Sequence, residues 1–127
     1  DTDDSSVSTM AYAVVLPFYS GGSLLRASGK LRRGMVSIKD TMGQIALGLR
    51  ELHRRGIIHR DIKNTNIVAA DERFAPRWHI IDYGLARVCS QDVVPCKGNA
   101  VYGTPRVMPC SVAKGEDYGV EVDWYSW

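Results

Sequence analysis

Five apolar residues, Ile38, Met42, Ile45, Leu49 and Leu52, recur at alternating steps of four and three. A helix with 3.6 residues per turn brings such steps back to one face, whereas a strand with a period of two would scatter them over both. This is the stretch whose pattern most firmly demands one element. A helix with a single apolar face must bury it against a second layer, so the chain is committed to a packed core. The ends carry matching chemistry. The Ser37 hydroxyl can accept a free N–H of the first turn, Asp40 sits near the positive helix end, and Arg54, Arg55 and Gly56 supply the stop. The helical region is therefore expected over 37–56.

The flanking segments read as short strands and loops. Ala11 to Phe18 is rich in β-branched and aromatic residues and reads as a buried strand, broken by Ser20-Gly21-Gly22-Ser23. Arg26 to Arg33 is basic and contains glycine, so it is expected as a surface connector with one short turn near Leu24 and Leu25. Ile57-Ile58, Ile67-Val68 and Trp78 to Ile81 fit small strands, and Leu85 to Val112 loses all periodicity and reads as a long ordered loop. Helices mixed with small strands place the fold in the α+β class.

Composition narrows the function classes. With 127 residues, 45% of them apolar and 24% charged, the chain suits one globular core. A formal net charge of +2, with scattered Lys and Arg, argues against nucleic acid or an anionic membrane as the main partner. The longest apolar run, Met10 to Tyr19, is about half the roughly 20 residues of a membrane span and contains Pro17, so no membrane span is expected. The acidic start, Asp1 to Thr9, lacks the basic opening of a signal peptide, and the chain reads as cytoplasmic, with the nucleus an open alternative. Cys89, Cys96 and Cys110 form neither an even set nor a CxxC knuckle, so reduced thiols are expected. An Asp at the start and an unfinished aromatic segment at Trp127 make both ends read as cut.

The chemistry concentrates in His59-Arg60-Asp61-Ile62-Lys63-Asn64-Thr65-Asn66, set between two short apolar runs. This stretch resembles the catalytic loop of protein kinases, HRDxKxxN. Asp82-Tyr83-Gly84, at the end of the next apolar run, resembles the metal-binding DFG loop with Tyr in place of Phe. The five specified positions of the first motif make a chance match improbable, the tripeptide alone is weak evidence, and their order and spacing make the pair strong. Hard oxygen ligands at Asn66 and Asp82 suit Mg²⁺, Asp61 can orient an acceptor hydroxyl and take its proton, and Lys63 can steady the transferring phosphoryl group.

The resemblance extends nearly end to end and implies a partial protein-kinase fold. It makes 1–10 a flank of the small lobe, and 11–22 its last strand and hinge. It gives 57–84 to the catalytic and metal-binding loops, 85–112 to the activation segment and 113–127 to the start of the central helix. Leu16, Pro17, Phe18, Tyr19 and Val68 then border ATP, with Mg²⁺ as the second cofactor. Gly103-Thr104-Pro105 is similar to the family's GTP triplet, making Thr104 part of the catalytic set, and Asp123 would brace the catalytic loop. His59 and Tyr83 are packing residues in this scheme, and Gly84 is a structural or regulatory position. Lys63 with Thr104 points to the serine/threonine branch, and hence to protein substrates bearing Ser or Thr hydroxyls. Arg60 suggests the class whose activation segment is ordered by a bound phosphate.

Three departures stand out. Ala100 occupies the usual phosphothreonine position, leaving Ser90 and Tyr102 as second choices. Pro109-Cys110-Ser111 replaces the APE triplet and its glutamate, and Asn64 replaces a common Pro. Two alternatives remain at this stage: a pseudokinase scaffold, and a small-molecule phosphotransferase of the aminoglycoside or choline kinase type. His53 and His79 have no neighbours in sequence and are expected to be ordinary structural residues. The isolated chain, lacking a Gly-rich loop and the strand Lys with its Glu partner, is expected to be inactive and poorly stable.

Overall fold

The computed structural model describes residues 13–34, 36–71, 76–89 and 101–127. The expected small-lobe flank 1–10, together with Ser90, Cys96 and Ala100, lies outside them. Four helices and four short strands are present among the described residues: α1 Leu24–Arg32, α2 Ile38–Arg54, β1 Ile57–Ile58, β2 Ile67–Ala69, β3 Trp78–Ile80, β4 Arg87–Val88, α3 Cys110–Ala113 and α4 Glu121–Ser126. No described helix is long and apolar enough to cross a membrane.

α2 forms where the apolar stripe demands it, and Ser37 caps it by accepting the Asp40 N–H at 3.1 Å. Of the five stripe residues only Ile45 and Leu49 are buried, while Ile38 is 59% exposed. The helix presents a neighbouring line to the core instead, through Thr41, Ile45 and Leu49. Two polar side chains of α2, on this line and beside it, are put to use. Thr41 accepts the Trp78 indole N–H at 3.1 Å, and Gln44 accepts the Trp78 backbone N–H at 3.0 Å while donating to the Pro76 carbonyl at 3.1 Å. Ile45 and Leu49 join Ile62, Ile67, Ala69 and Trp78 in one cluster. Each such fully buried aliphatic side chain contributes about 1.5–3 kcal/mol.

The three expected strands pair as follows. β2 and β3 form an antiparallel hairpin with Ile67 opposite Ile80 and Ala69 opposite Trp78. β1 pairs with β4, Ile57 opposite Val88, so the long loop contains a strand that periodicity could not show in two residues. A second cluster of Ile58, Val112, Tyr118 and Val122 packs the chain's last third beneath β1.

The structure corrects three further expectations. α1 is a nine-residue helix rather than one turn. Ser23 caps it, and Leu24 and Ala27 lean on the main cluster, so one internal glycine is outweighed by capping and packing. Residues 13–18 lie outside any strand and are exposed, because no described segment offers them a hydrogen-bonding partner edge. Cys89 is disulfide-bonded, whereas Cys110 is free and exposed. An argument from cellular compartment and cysteine count sets an average expectation and says nothing about local sulfur geometry.

Candidate active site

The loop between β1 and β2 carries the densest chemistry, and its backbone is held from below. Asp123 on α4 is fully buried and receives three hydrogen bonds. Its Oδ2 accepts the His59 N–H at 2.8 Å and pairs with His53 Nε2 at 2.8 Å, and its Oδ1 accepts the Arg60 N–H at 2.8 Å. The resulting curvature puts Arg60 at φ 68°, a left-handed conformation that costs a non-glycine residue roughly 1–2 kcal/mol. His53 is thus a loop support. No neighbour along the chain signals this role, since its partner is 70 residues away.

Above this support, Asp61, Lys63, Asn66 and Thr104 close into one hydrogen-bonded set. Lys63 Nζ lies 2.6 Å from Asp61 Oδ2 and donates to Thr104 Oγ1 at 3.0 Å, and Thr104 Oγ1 donates to Asp61 Oδ1 at 2.6 Å. Asn66 Nδ2 donates to the Asp61 carbonyl at 3.0 Å and to its Oδ2 at 3.1 Å. Burial pushes the Asp61 carboxyl up, but the Lys63 ammonium and the Thr104 hydroxyl outweigh it and hold it below the ordinary aspartate value. Asp61 is therefore an ionised, oriented acceptor at neutral pH. Thr104 reaches it only because Gly103, at φ 114°, comes so close that a Cβ would stand 2.6 Å from the Arg60 carbonyl.

The two expected metal ligands sit at the open end of the β2–β3 hairpin. Asn66 precedes β2, and its carbonyl accepts the Ile81 N–H at 2.9 Å, which sets Asp82 one residue beyond that bond. Asp82 is exposed at φ 65° and ψ 72° and caps the turn that follows by accepting the Gly84 N–H at 3.4 Å. With the amide nitrogen of Asn66 spent on Asp61, its oxygen is the atom suited to a cation. Among the described residues no group of three His, Cys, Asp or Glu could hold a metal by itself. An amide and a carboxylate fit Mg²⁺ bound partly through substrate phosphates, since that ion keeps few protein ligands.

Leu16, Pro17 and Tyr19 border the same open cavity of about 580 Å³ as Asp82, Tyr83 and Gly84. Phe18 and Val68 are not among its lining residues. Phe18 is 91% exposed, and Val68 is buried within β2 and bridged to Ser23. Tyr19 stacks on His79 with ring centroids 4.7 Å apart, a partner that sequence proximity did not reveal. The His59 and Tyr83 rings lie 5.1 Å apart, His59 buried and Tyr83 47% exposed.

Arg60 holds no phosphate-like partner among the described residues. Its Nε donates to the Leu85 carbonyl at 2.6 Å, its NH1 to the Tyr118 hydroxyl at 3.2 Å, and its guanidinium lies 4.7 Å from the centre of the Tyr102 ring. Neutral groups thus occupy the arginine that the resemblance assigns to a phosphate.

Comparison with known proteins fits this arrangement. The protein kinase domain family matches residues 4–127. The chain is 32% identical over 114 residues to atypical protein kinase C of Drosophila melanogaster, covering 88% of this chain and 18% of that protein. A probable serine/threonine-protein kinase of Dictyostelium discoideum is 36% identical over 114 residues, covering 88% of this chain and 12% of the relative. Serine/threonine-protein kinase pakC of the same organism is 34% identical over 116 residues, covering 89% and 23%. The chain therefore spans less than a quarter of the length of these relatives. Matched over nearly all its residues, with Asp61, Lys63, Asn66 and Thr104 closed into one hydrogen-bonded set, this chain belongs to the protein kinase domain family.

Proposed function

We propose that the full-length protein containing this chain transfers the γ-phosphoryl group of ATP to Ser or Thr hydroxyls of proteins. The observation that carries the reading is the Asp61–Lys63–Thr104 set, with separations of 2.6 to 3.0 Å. Asp61 receives the acceptor hydroxyl as its oxygen bonds to the γ-phosphorus, and takes the proton released. The bond from that phosphorus to the β–γ bridging oxygen breaks, and its electron pair leaves with ADP. Lys63 places a positive charge beside the transferring group, and Thr104 fixes both partners so that little reorganisation is needed during reaction. Asn66 and Asp82 would hold Mg²⁺, which offsets the charge of the phosphates when bound.

Hydroxyl rather than phenol acceptors are supported by the Thr104 bridge between Asp61 and Lys63, and by relatives named as serine/threonine kinases. Replacement of Asp61 by Asn in the full-length protein is expected to reduce phosphorylation by about 10²–10⁴-fold, the usual contribution of a positioned base, while nucleotide affinity stays within a few-fold. Turnover equal to that of the parent would remove Asp61 from the mechanism.

A further inference from the structure

A second cavity, of about 590 Å³, is lined by Lys63, Asn64 and Arg106 together with apolar residues that include Leu24, Ile62 and Trp127. Its lining contains two cations and no acidic residue. Lys63 is matched by Asp61 at 2.6 Å, so the unmatched charge belongs to Arg106, which is exposed two residues past Thr104. Arg106 has no acidic partner within ion-pair distance among the described residues.

α1 reaches the cavity through its apolar Leu24 and Leu25. The Leu25 N–H donates to the Asn64 carbonyl at 3.0 Å, tying this helix to the loop that bears the acceptor site. α1 reads LLRASGKLR, with Arg26, Lys30 and Arg32 and no acid, and Arg33 caps its end. Arg26, Lys30 and Arg32 likewise take part in no ion pair among the described residues. Of α1 only Leu24 and Leu25 line the cavity, so Lys63 and Arg106 are the cations that an approaching acceptor segment meets there.

We infer that the acceptor segment is acidic: a Ser or Thr flanked by Asp or Glu carboxylates, one of which pairs with Arg106. The inference rests on the kinase reading above and extends it to substrate class. Opposite charge across such a cavity raises the encounter rate and rejects basic sequences through like-charge contact.

The test uses the full-length protein, ATP and three peptides that share one Ser acceptor but carry Glu, Gln or Arg around it. Expected values of kcat/KM fall in the order Glu, Gln, Arg, with about tenfold between the extremes, and the spread shrinks as salt is raised. Arg106→Gln should narrow the spread and Arg106→Glu should abolish or invert it, whereas Arg50→Glu, on the exposed side of α2, should leave it unchanged. Preference for the Arg peptide, equal rates on all three, or a spread indifferent to Arg106 would overturn the inference with the kinase reading intact. Phosphorylation of none of the peptides, with nucleotide still bound, would overturn both.

Discussion

Replacing Asp123 by Asn keeps the shape of the side chain and removes its charge, which isolates what this carboxylate does. Whichever way the amide turns, its nitrogen faces a backbone N–H that now bonds to oxygen at 2.8 Å, from Arg60 on one side or from His59 on the other. The less costly orientation turns the nitrogen toward Arg60, because the His59 and His53 contacts share the other oxygen. One bond to a charged acceptor, contributing about 1.5–3 kcal/mol, is then lost, and the two that remain lose their charge assistance. Easier burial of a neutral group offsets part of this, leaving an expected net destabilisation of about 2–4 kcal/mol. The lost bond also anchors the left-handed Arg60 peptide, immediately before Asp61, so relaxation there displaces the carboxylate. A displacement near 1 Å lowers kcat by about 10²-fold. Urea denaturation of the full-length protein, read with kcat and nucleotide Kd, checks both parts. A stability change below about 0.5 kcal/mol together with kcat within twofold of the parent would refute the assigned role of Asp123.

Two other outcomes follow from the same geometry. Thr104→Ala removes the hydroxyl that donates to Asp61 and accepts from Lys63, and should lower kcat about 10–100-fold with little change in ATP affinity, while Thr104→Ser restores most of it. The Asp61 carboxyl titrates lower when folded than the roughly 3.9 of a free aspartate, so its contribution to stability is complete above that value and is lost as pH falls through the folded pKa. Acid unfolding followed below about pH 4 should therefore be shallower in Asp61→Asn than in the parent, and the acid limb of kcat/KM above that pH should not arise from Asp61.

What was legible in the sequence is what lies close together along it. The eight residues from His59 to Asn66 contain three of the four members of the closed set, and the α2 stripe and its Ser37 cap are local patterns as well. The unread features depend on distant partners. β4 is two residues whose strand character comes only from pairing with β1, some 30 positions earlier. The role of His53 depends on Asp123, and the length of α1 on a Ser23 cap and on packing that a glycine count discounts. In α2 the buried line was displaced toward Thr41 because Trp78 supplies a donor for its hydroxyl, and no one-dimensional pattern of apolar residues contains that bond.

The buried Asp123 carboxylate also sets the order of events as the chain folds. The contacts that shape the catalytic loop span 63, 64 and 70 residues, so bringing them together requires closing a long loop of unfolded chain. At a synthesis rate of about 5–20 residues per second, the His59 and Arg60 backbone waits several seconds for its partner to be made. During that interval α2 and the β2–β3 hairpin, built from near neighbours, can form, but the loop they flank has nothing to fix its left-handed turn. Catalytic geometry is consequently a late product of assembly, and an early-folding core does not by itself confer it.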